Sequence, residues 1–181
     1  GTLSGFLAGD GVTATYTRIA GEAVGPYTIS ATLSPAGVLG NYNITYNTAT
    51  FTIGQTTPTI TWSNPANITY GTALGGTQLN ATASVPGTFT YTPSAGTILN
   101  AGSGQNLHVD FVPTDTATYT NASADVTINV NKAVLTVVAD NQSINFGDPD
   151  PAFTFTYSAF VPGDTSADID TPPTCTVSGP H

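Results

Sequence analysis

Apolar and polar residues alternate along much of this 181-residue chain, with a period of two. Because successive side chains of a β-strand point to opposite faces, this alternation predicts strands with one buried face. The pattern is clearest at 59–62, 87–92, 106–112, 124–130, 134–139 and 152–157. Glycine, asparagine and proline fill the gaps between these segments and favour tight turns. No segment has the spacing of an amphipathic helix, so the pattern predicts an all-β fold.

Two short polar joints interrupt the strand pattern and predict domain boundaries. The first covers 54–58 and the second covers 131–133. The residues between them, 56–131, contain enough strands for one small immunoglobulin-like sandwich of two antiparallel sheets. We therefore predict tandem sandwiches, with residues 1–54 and 133–181 each forming part of a flanking module. Joints this short favour modules placed end to end with limited bending, as a rod.

A seven-residue motif occurs twice, at 4–10 and again at 158–164. Both copies begin with serine, have phenylalanine at the third position and end with glycine and aspartate. Repetition of this kind indicates an array of modules, and chance similarity in a sequence of low diversity is the alternative. Because the motif begins one flank and lies well inside the other, the two flanks are predicted to hold different parts of one module type.

Further motifs in the flanks define a resemblance. The C-terminal flank contains Lys132-Ala133-Val134-Leu135, Asn145-Phe146-Gly147-Asp148 and Pro151-Ala152-Phe153. The N-terminal flank contains Pro26-Tyr27-Thr28-Ile29 and Asn41-Tyr42-Asn43-Ile44. These residues resemble the opening and closing parts of an MBG-type repeat, an immunoglobulin-like module of large bacterial surface proteins. The middle segment, with motifs at 68–74 and 111–115, is similar to another bacterial immunoglobulin-like repeat.

The resemblance implies a stalk or adhesive array on a surface adhesin or extracellular fibre, and it provides no catalytic residues to carry over. We therefore expect an extracellular or cell-surface location and a structural role as a spacer. The alternative is an adhesive module that binds carbohydrate or protein, with a host or matrix ligand. Partners are expected to be neighbouring repeats, or copies of the chain arranged head to tail.

Strand addition is one way in which such partners complete an unfinished sandwich, because an open sheet edge presents unpaired backbone groups. Aromatic side chains of the flanks are the candidate interface residues. They are Phe6, Phe153, Phe155, Tyr157 and Phe160. A longer covalent array in which adjacent repeats supply the missing strands is the alternative to association of separate chains.

Charge changes the range of possible partners. Eleven acidic residues against two basic ones give a formal net charge of -9. This charge repels nucleic-acid phosphates and anionic lipid headgroups, so neither nucleic-acid binding nor membrane insertion is expected. No apolar stretch approaches the roughly 20 residues that a membrane-spanning helix needs. Any signal peptide or anchor is expected to lie outside these residues.

Candidate catalytic groups are few, so we predict that the chain is not an enzyme and has no cofactor. The histidines are His108 and His181, which leaves serine and threonine hydroxyls without a positioned base. Glu22, the only glutamate, has no acidic partner of the kind that glycoside hydrolysis needs. Lys132 lies in a joint, which argues against an isopeptide crosslink, and the single Cys175 cannot form an internal disulfide.

Two groups of polar residues are candidate metal ligands. His108 and Asp110 share one face of a strand, about 7 Å apart at a rise of roughly 3.3 Å per residue. Exposure to solvent explains this pair without a metal, because the alternate positions on the same strand are apolar. Those positions are Leu107, Val109 and Phe111. Carboxylates in a turn-rich stretch are candidate calcium ligands, although turn formation alone explains them. They are Asp140, Asp148 and Asp150.

Trp62 has two competing interpretations. With Tyr70, Tyr91 and Tyr119 it is a candidate sugar-binding platform. We favour a core position for Trp62 and for Phe111, because aromatic side chains bury a large apolar area in a small domain.

Overall fold

The computed structural model describes residues 1–175. Strands account for 38% of the residues and helices for 6%, which confirms the all-β prediction. The helical elements in this range are short. They are helix α1 (Ala36–Leu39) and the 3₁₀ turns Ala8–Asp10 and Ser166–Asp168.

The first three strands form an antiparallel sheet with the order β1-β2-β3. They are β1 (Thr13–Arg18), β2 (Gly25–Ser34) and β3 (Ala49–Ile53). The register places Tyr16 of β1 opposite Ala31 of β2. Leu33 is the buried position of β2, whereas four of the five β3 residues are exposed. Much of the surface of this sheet therefore faces solvent.

The middle of the chain forms two further sheets. Two short strands, β4 (Ile60–Thr61) and β6 (Thr82–Ala83), pair with each other. A four-stranded sheet has the order β5-β9-β8-β7. Its strands are β5 (Ile68–Thr69), β7 (Gly87–Thr92), β8 (Gly102–Pro113) and β9 (Ala122–Asn131). Strands β8 and β9 are longer than the predicted segments 106–112 and 124–130, because backbone pairing continues past the alternating residues.

The apolar face of this sheet carries a hydrophobic cluster. Leu107, Val109 and Phe111 each have 0% exposure, as the alternation along β8 predicts. The cluster consists of Ile68, Leu74, Leu79, Leu99, Leu107, Val126, Ile128 and Val130. Full burial of one such side chain stabilises a fold by about 1.5–3 kcal/mol.

One strand pair departs from the predicted antiparallel arrangement. Strand β5 runs parallel to β9, with Ile68 opposite Val130 and Thr69 opposite Asn131. The alternation of residues is the same in both directions, so the sequence pattern carries no information about strand direction. The chain path between the two strands decides it.

The last two strands, β10 (Thr136–Ala139) and β11 (Phe155–Ser158), form an antiparallel pair. Both begin later than the predicted segments 134–139 and 152–157. Alternation identifies residues that are able to form a strand, but only residues that face a partner are paired, and there are four of these in each of the two strands. All four residues of β10 are exposed.

Contacts between Cα atoms divide the chain into two compact units. One unit comprises Gly1–Thr59, Ala83–Thr88 and Phe111–Ala122, and contains the sheet β1-β2-β3. The other comprises Ile60–Thr82, Phe89–Asp110 and the residues from Ser123 onward. It contains the hydrophobic cluster and the β10–β11 pair. The division of the chain at 1–54, 56–131 and 133–181 stays a prediction.

Gly87 lies where β7 begins, in close contact with the buried ring of Phe111. A Cβ atom at this position would be 2.4 Å from Phe111 Cζ and 2.5 Å from the Val112 carbonyl oxygen. Both distances are far shorter than van der Waals contact. Glycine is therefore required here by the close approach of the neighbouring strand.

Candidate functional site

A polar cluster lies on the outer face of β8 and β9. His108 Nδ1 is 2.9 Å from Asp125 Oδ1, and His108 Nε2 is 3.3 Å from Asp110 Oδ1. Asn106 Nδ2 donates a hydrogen bond to the same Asp125 oxygen at 3.0 Å. The predicted separation of about 7 Å applies to the backbone. The side chains of His108 and Asp110 converge, so the pair is much closer than that spacing indicates.

Hydrogen bonds within this cluster shift the pKa values of His108 and Asp125 in opposite directions. The hydrogen bond to Asp125, together with that to Asp110, raises the pKa of His108. Hydrogen bonds from Asn106 and then from His108 lower the pKa of Asp125. Both shifts favour the ion pair, and both groups are at the surface. Asp125 was missed by the sequence analysis, although its outward position follows from the buried Val126 beside it.

The polar cluster offers little for catalysis or for metal binding. Both ring nitrogens of His108 contact carboxylates, so neither is positioned as a free base. Within residues 1–175, no group of three or more His, Cys, Asp and Glu side chains has an arrangement that could hold a metal ion. The geometry corresponds to a surface network that links β8 to β9.

The candidate calcium ligands lie around the β10–β11 pair and its connection. The backbone of Asp140 donates to the Thr154 carbonyl at 2.9 Å and extends the strand pairing. Asp148 closes a turn: its Oδ2 accepts from the Asn145 amide at 3.2 Å, and its own amide donates to the Asn145 carbonyl at 3.1 Å. Asp150 is exposed. The structure thus gives Asp148 a role in turn formation.

Both copies of the repeated motif end in an aspartate that accepts a hydrogen bond from a tyrosine hydroxyl. Tyr42 donates to Asp10 in the first copy, and Tyr70 donates to Asp164 at 3.1 Å in the second. These hydrogen bonds are the first cause of the raised pKa of each tyrosine. The two aspartates therefore have the same kind of partner, although Tyr42 follows Asp10 along the chain and Tyr70 precedes Asp164.

The second copy of the motif packs against the loop that follows β5. One contact is the hydrogen bond from Tyr70 to Asp164. The other is between Val161 and Gly71, where a Cβ atom on Gly71 would be 2.5 Å from Val161 Cγ1. A largely apolar groove of about 290 Å³ lies beside this contact. Phe160, one of the candidate interface residues, lines it.

The other candidate interface residues form small aromatic groups within their own flanks. Phe6 packs edge-on against Tyr42 with ring centroids 4.8 Å apart. Phe155 and Tyr157 are 5.2 Å apart, and Tyr157 and Phe160 are 5.5 Å apart. Each of these rings is only partly buried. Phe153 is 38% exposed.

Large apolar side chains of both flanks face solvent. In the N-terminal flank Leu7 is 71% exposed and Ile19 is 62% exposed, and in the C-terminal flank Val134 reaches 79% and Val138 51%. Val138 lies in β10, whereas Leu7, Ile19 and Val134 lie outside the strands. Single exposed apolar residues are ordinary, and it is a contiguous exposed patch that marks an interaction surface. The sequence analysis predicted that the flanks are incomplete modules but did not single out these residues.

Trp62 has the core contacts that the sequence analysis favoured. Its ring packs edge-on against Tyr91 at 5.4 Å, and Trp62, Tyr70 and Tyr91 all pack against the hydrophobic cluster. Phe111 is fully buried. Tyr119 lies in the other compact unit, in an isolated bridge with Thr56. Trp62, Tyr70 and Tyr91 therefore contribute to the packing of the core.

Glu22, Cys175 and His181 are the remaining residues that the sequence analysis considered. Glu22 pairs with Arg18, whose guanidinium lies over the Tyr27 and Phe51 rings at 5.2 and 5.1 Å. Cys175 is a free, partly buried thiol. His181 lies outside the described residues. No helix within residues 1–175 is long and apolar enough to cross a membrane.

These features define a class: a β-rich repeat module in which the repeated motif organises the local packing. The family model for the MBG domain of YGX type matches residues 1–52 and 135–179. The chain belongs to the MBG domain family, which confirms the resemblance; the family is one of repeat modules in large bacterial proteins. Neither curated proteins nor solved structures gave a match to the chain.

Proposed function

We propose that the chain is a spacer segment of a bacterial surface adhesin or extracellular fibre, built from immunoglobulin-like β-sandwich modules in a rod. The observation that carries the proposal is the set of apolar side chains left exposed on both MBG-matched flanks, including Leu7, Ile19 and Val138. Surfaces of this kind suit modules that are stabilised by their neighbours in an array.

The proposed partner of each flank is the matching part of an adjacent repeat. Strands β1 and β3 are the outer strands of their sheet, and β10 and β11 form a sheet of only two strands. Two strands alone are marginally stable in water, so added strands and a covered apolar face would stabilise the pair. The partner repeat belongs either to the same longer chain or to a second copy arranged head to tail.

The proposed role does not involve catalysis, a cofactor or nucleic-acid binding. His108 is held between two carboxylates, and the net charge of -9 repels phosphate. A spacer role also agrees with the small number of charged side chains that lie close together in residues 1–175.

Two experiments test the proposal. In the first, residues 1–54 are added after residue 181, and amide hydrogen exchange is measured. Completion by an adjacent repeat predicts slower exchange in β10 and β11 than in the original chain. Unchanged exchange would contradict completion within one chain.

In the second experiment, the mass of the original chain in solution is measured by ultracentrifugation over a range of concentrations, with electron microscopy of the same samples. Association of separate copies predicts fibres and a mass that rises with concentration. Phe153→Ser should weaken this association, whereas Ala152→Ser, at the exposed residue beside it, should not. A monomer at all concentrations, together with unchanged exchange in the first experiment, would refute the proposal.

A further inference from the structure

A groove of about 400 Å³ lies beside Trp62, on the middle part of the chain. The ring of Trp62 and the ring of Pro65 line it, together with the amide side chains of Asn64 and Asn80 and several hydroxyl groups. None of the lining residues carries a charge. The volume is within the range of about 300–1,000 Å³ that small-molecule sites occupy.

The indole ring in this groove is held in place. Trp62 Nε1 donates to the Gln78 carbonyl at 3.0 Å, and the edge of the ring packs on Tyr91 at 5.4 Å. Its contacts with the hydrophobic cluster fix the ring further. Since Trp62 also lines the groove, part of a rigid aromatic surface is available to a ligand.

The two amide side chains are held as well, and each keeps one polar group free of these contacts. Asn64 Oδ1 accepts from the Thr127 amide at 3.1 Å, which leaves its NH₂ group as a donor. Asn80 Nδ2 donates to the Thr77 carbonyl at 3.2 Å, which leaves its oxygen as an acceptor. The groove therefore combines a fixed donor and a fixed acceptor with an aromatic ring.

We propose that this groove binds a neutral carbohydrate. A sugar ring has an apolar face of C–H groups, which packs on an indole, and a rim of hydroxyls that both donate and accept hydrogen bonds. The lining offers no cationic side chain to pair with a carboxylate or a sulfate, and the net charge of -9 repels both anions. This binding site is independent of the spacer role, because it uses neither flank.

The test uses the fluorescence of Trp62, which is the only tryptophan and lines the groove. The full chain is titrated with cellohexaose, mannohexaose, xylohexaose and chitohexaose, and with hexagalacturonate as the acidic probe. We expect at least one neutral hexasaccharide to shift the emission and to protect the ring from acrylamide quenching, with a Kd of about 1 mM. Hexagalacturonate should produce neither effect.

Asn80→Ala removes the free acceptor and leaves the Trp62 contacts in place. We expect its Kd to rise about threefold to tenfold, the loss that corresponds to one hydrogen bond. Asn141→Ala changes an exposed asparagine outside the groove and should bind like the original chain. The proposal is overturned if no neutral probe changes the fluorescence at about 10 mM, if hexagalacturonate binds equally well, or if the two variants have the same Kd.

Discussion

Replacing Leu107 by alanine tests whether the face of β8 that the alternation predicts is the core of the middle segment. Leu107 has 0% exposure and belongs to the hydrophobic cluster. The substitution removes three carbon atoms, worth about 0.8 kcal/mol each in transfer free energy. The cavity left behind adds to this cost, and measured Leu→Ala changes in protein cores are about 2–5 kcal/mol. We expect the free energy of unfolding to fall by about 3 kcal/mol.

The matched control is Val112→Ala on the same strand. Val112 is 46% exposed, so its substitution should cost about 1 kcal/mol or less. Both variants are unfolded in urea while Trp62 fluorescence is followed, since Trp62 packs against the same cluster. Equal losses in the two variants, or a loss below about 1 kcal/mol for Leu107→Ala, would refute the assignment of the core.

Three further predictions follow from the contacts. The raised pKa of His108 stabilises the fold fully below its unfolded-state value near 6.5, and this contribution disappears as pH rises through the higher folded-state pKa. His108→Gln should therefore lower the urea midpoint in mildly acidic buffer but leave it unchanged in alkaline buffer; an equal loss at every pH would contradict this. Gly87→Ala should destabilise the fold by about 1–3 kcal/mol in a thermal melt, because its Cβ would overlap Phe111; an unchanged melting temperature would contradict the close approach. Tyr70→Phe removes the hydrogen bond to Asp164, and hydrogen exchange at 161–165 should become faster; unchanged exchange would show that the bond does not hold this segment.

Features that depend on neighbouring residues could be predicted from the sequence, whereas features that depend on a distant partner could not. Alternation along β8 was sufficient to separate the buried Leu107 from the half-buried His108 on the outer face, because strand geometry alone sends neighbouring side chains to opposite faces. Six predicted strand segments are strands in the structure, with ends that differ where pairing starts later or continues further. Pairing depends on a partner strand, so alternation alone does not predict where a strand begins and ends.

The candidate site was predicted only in fragments. Trp62, His108 and Asp110 were recognised as candidates from residue type and spacing. Asp125, which organises the polar cluster, lies on a different strand, and local spacing cannot show that two strands are neighbours. The groove beside Trp62 likewise includes residues separated along the chain, among them Asn80.

The all-β class, the buried and exposed faces of β8 and β9 and membership in a repeat family follow from the sequence alone, because these depend on local periodicity and on repeated motifs. The parallel pairing of β5 with β9 became visible only in the fold, as did the hydrogen bonds that Asp10 and Asp164 accept from tyrosines far away in sequence. Those features depend on the path of the chain between distant segments. A period of two residues contains no information about that path.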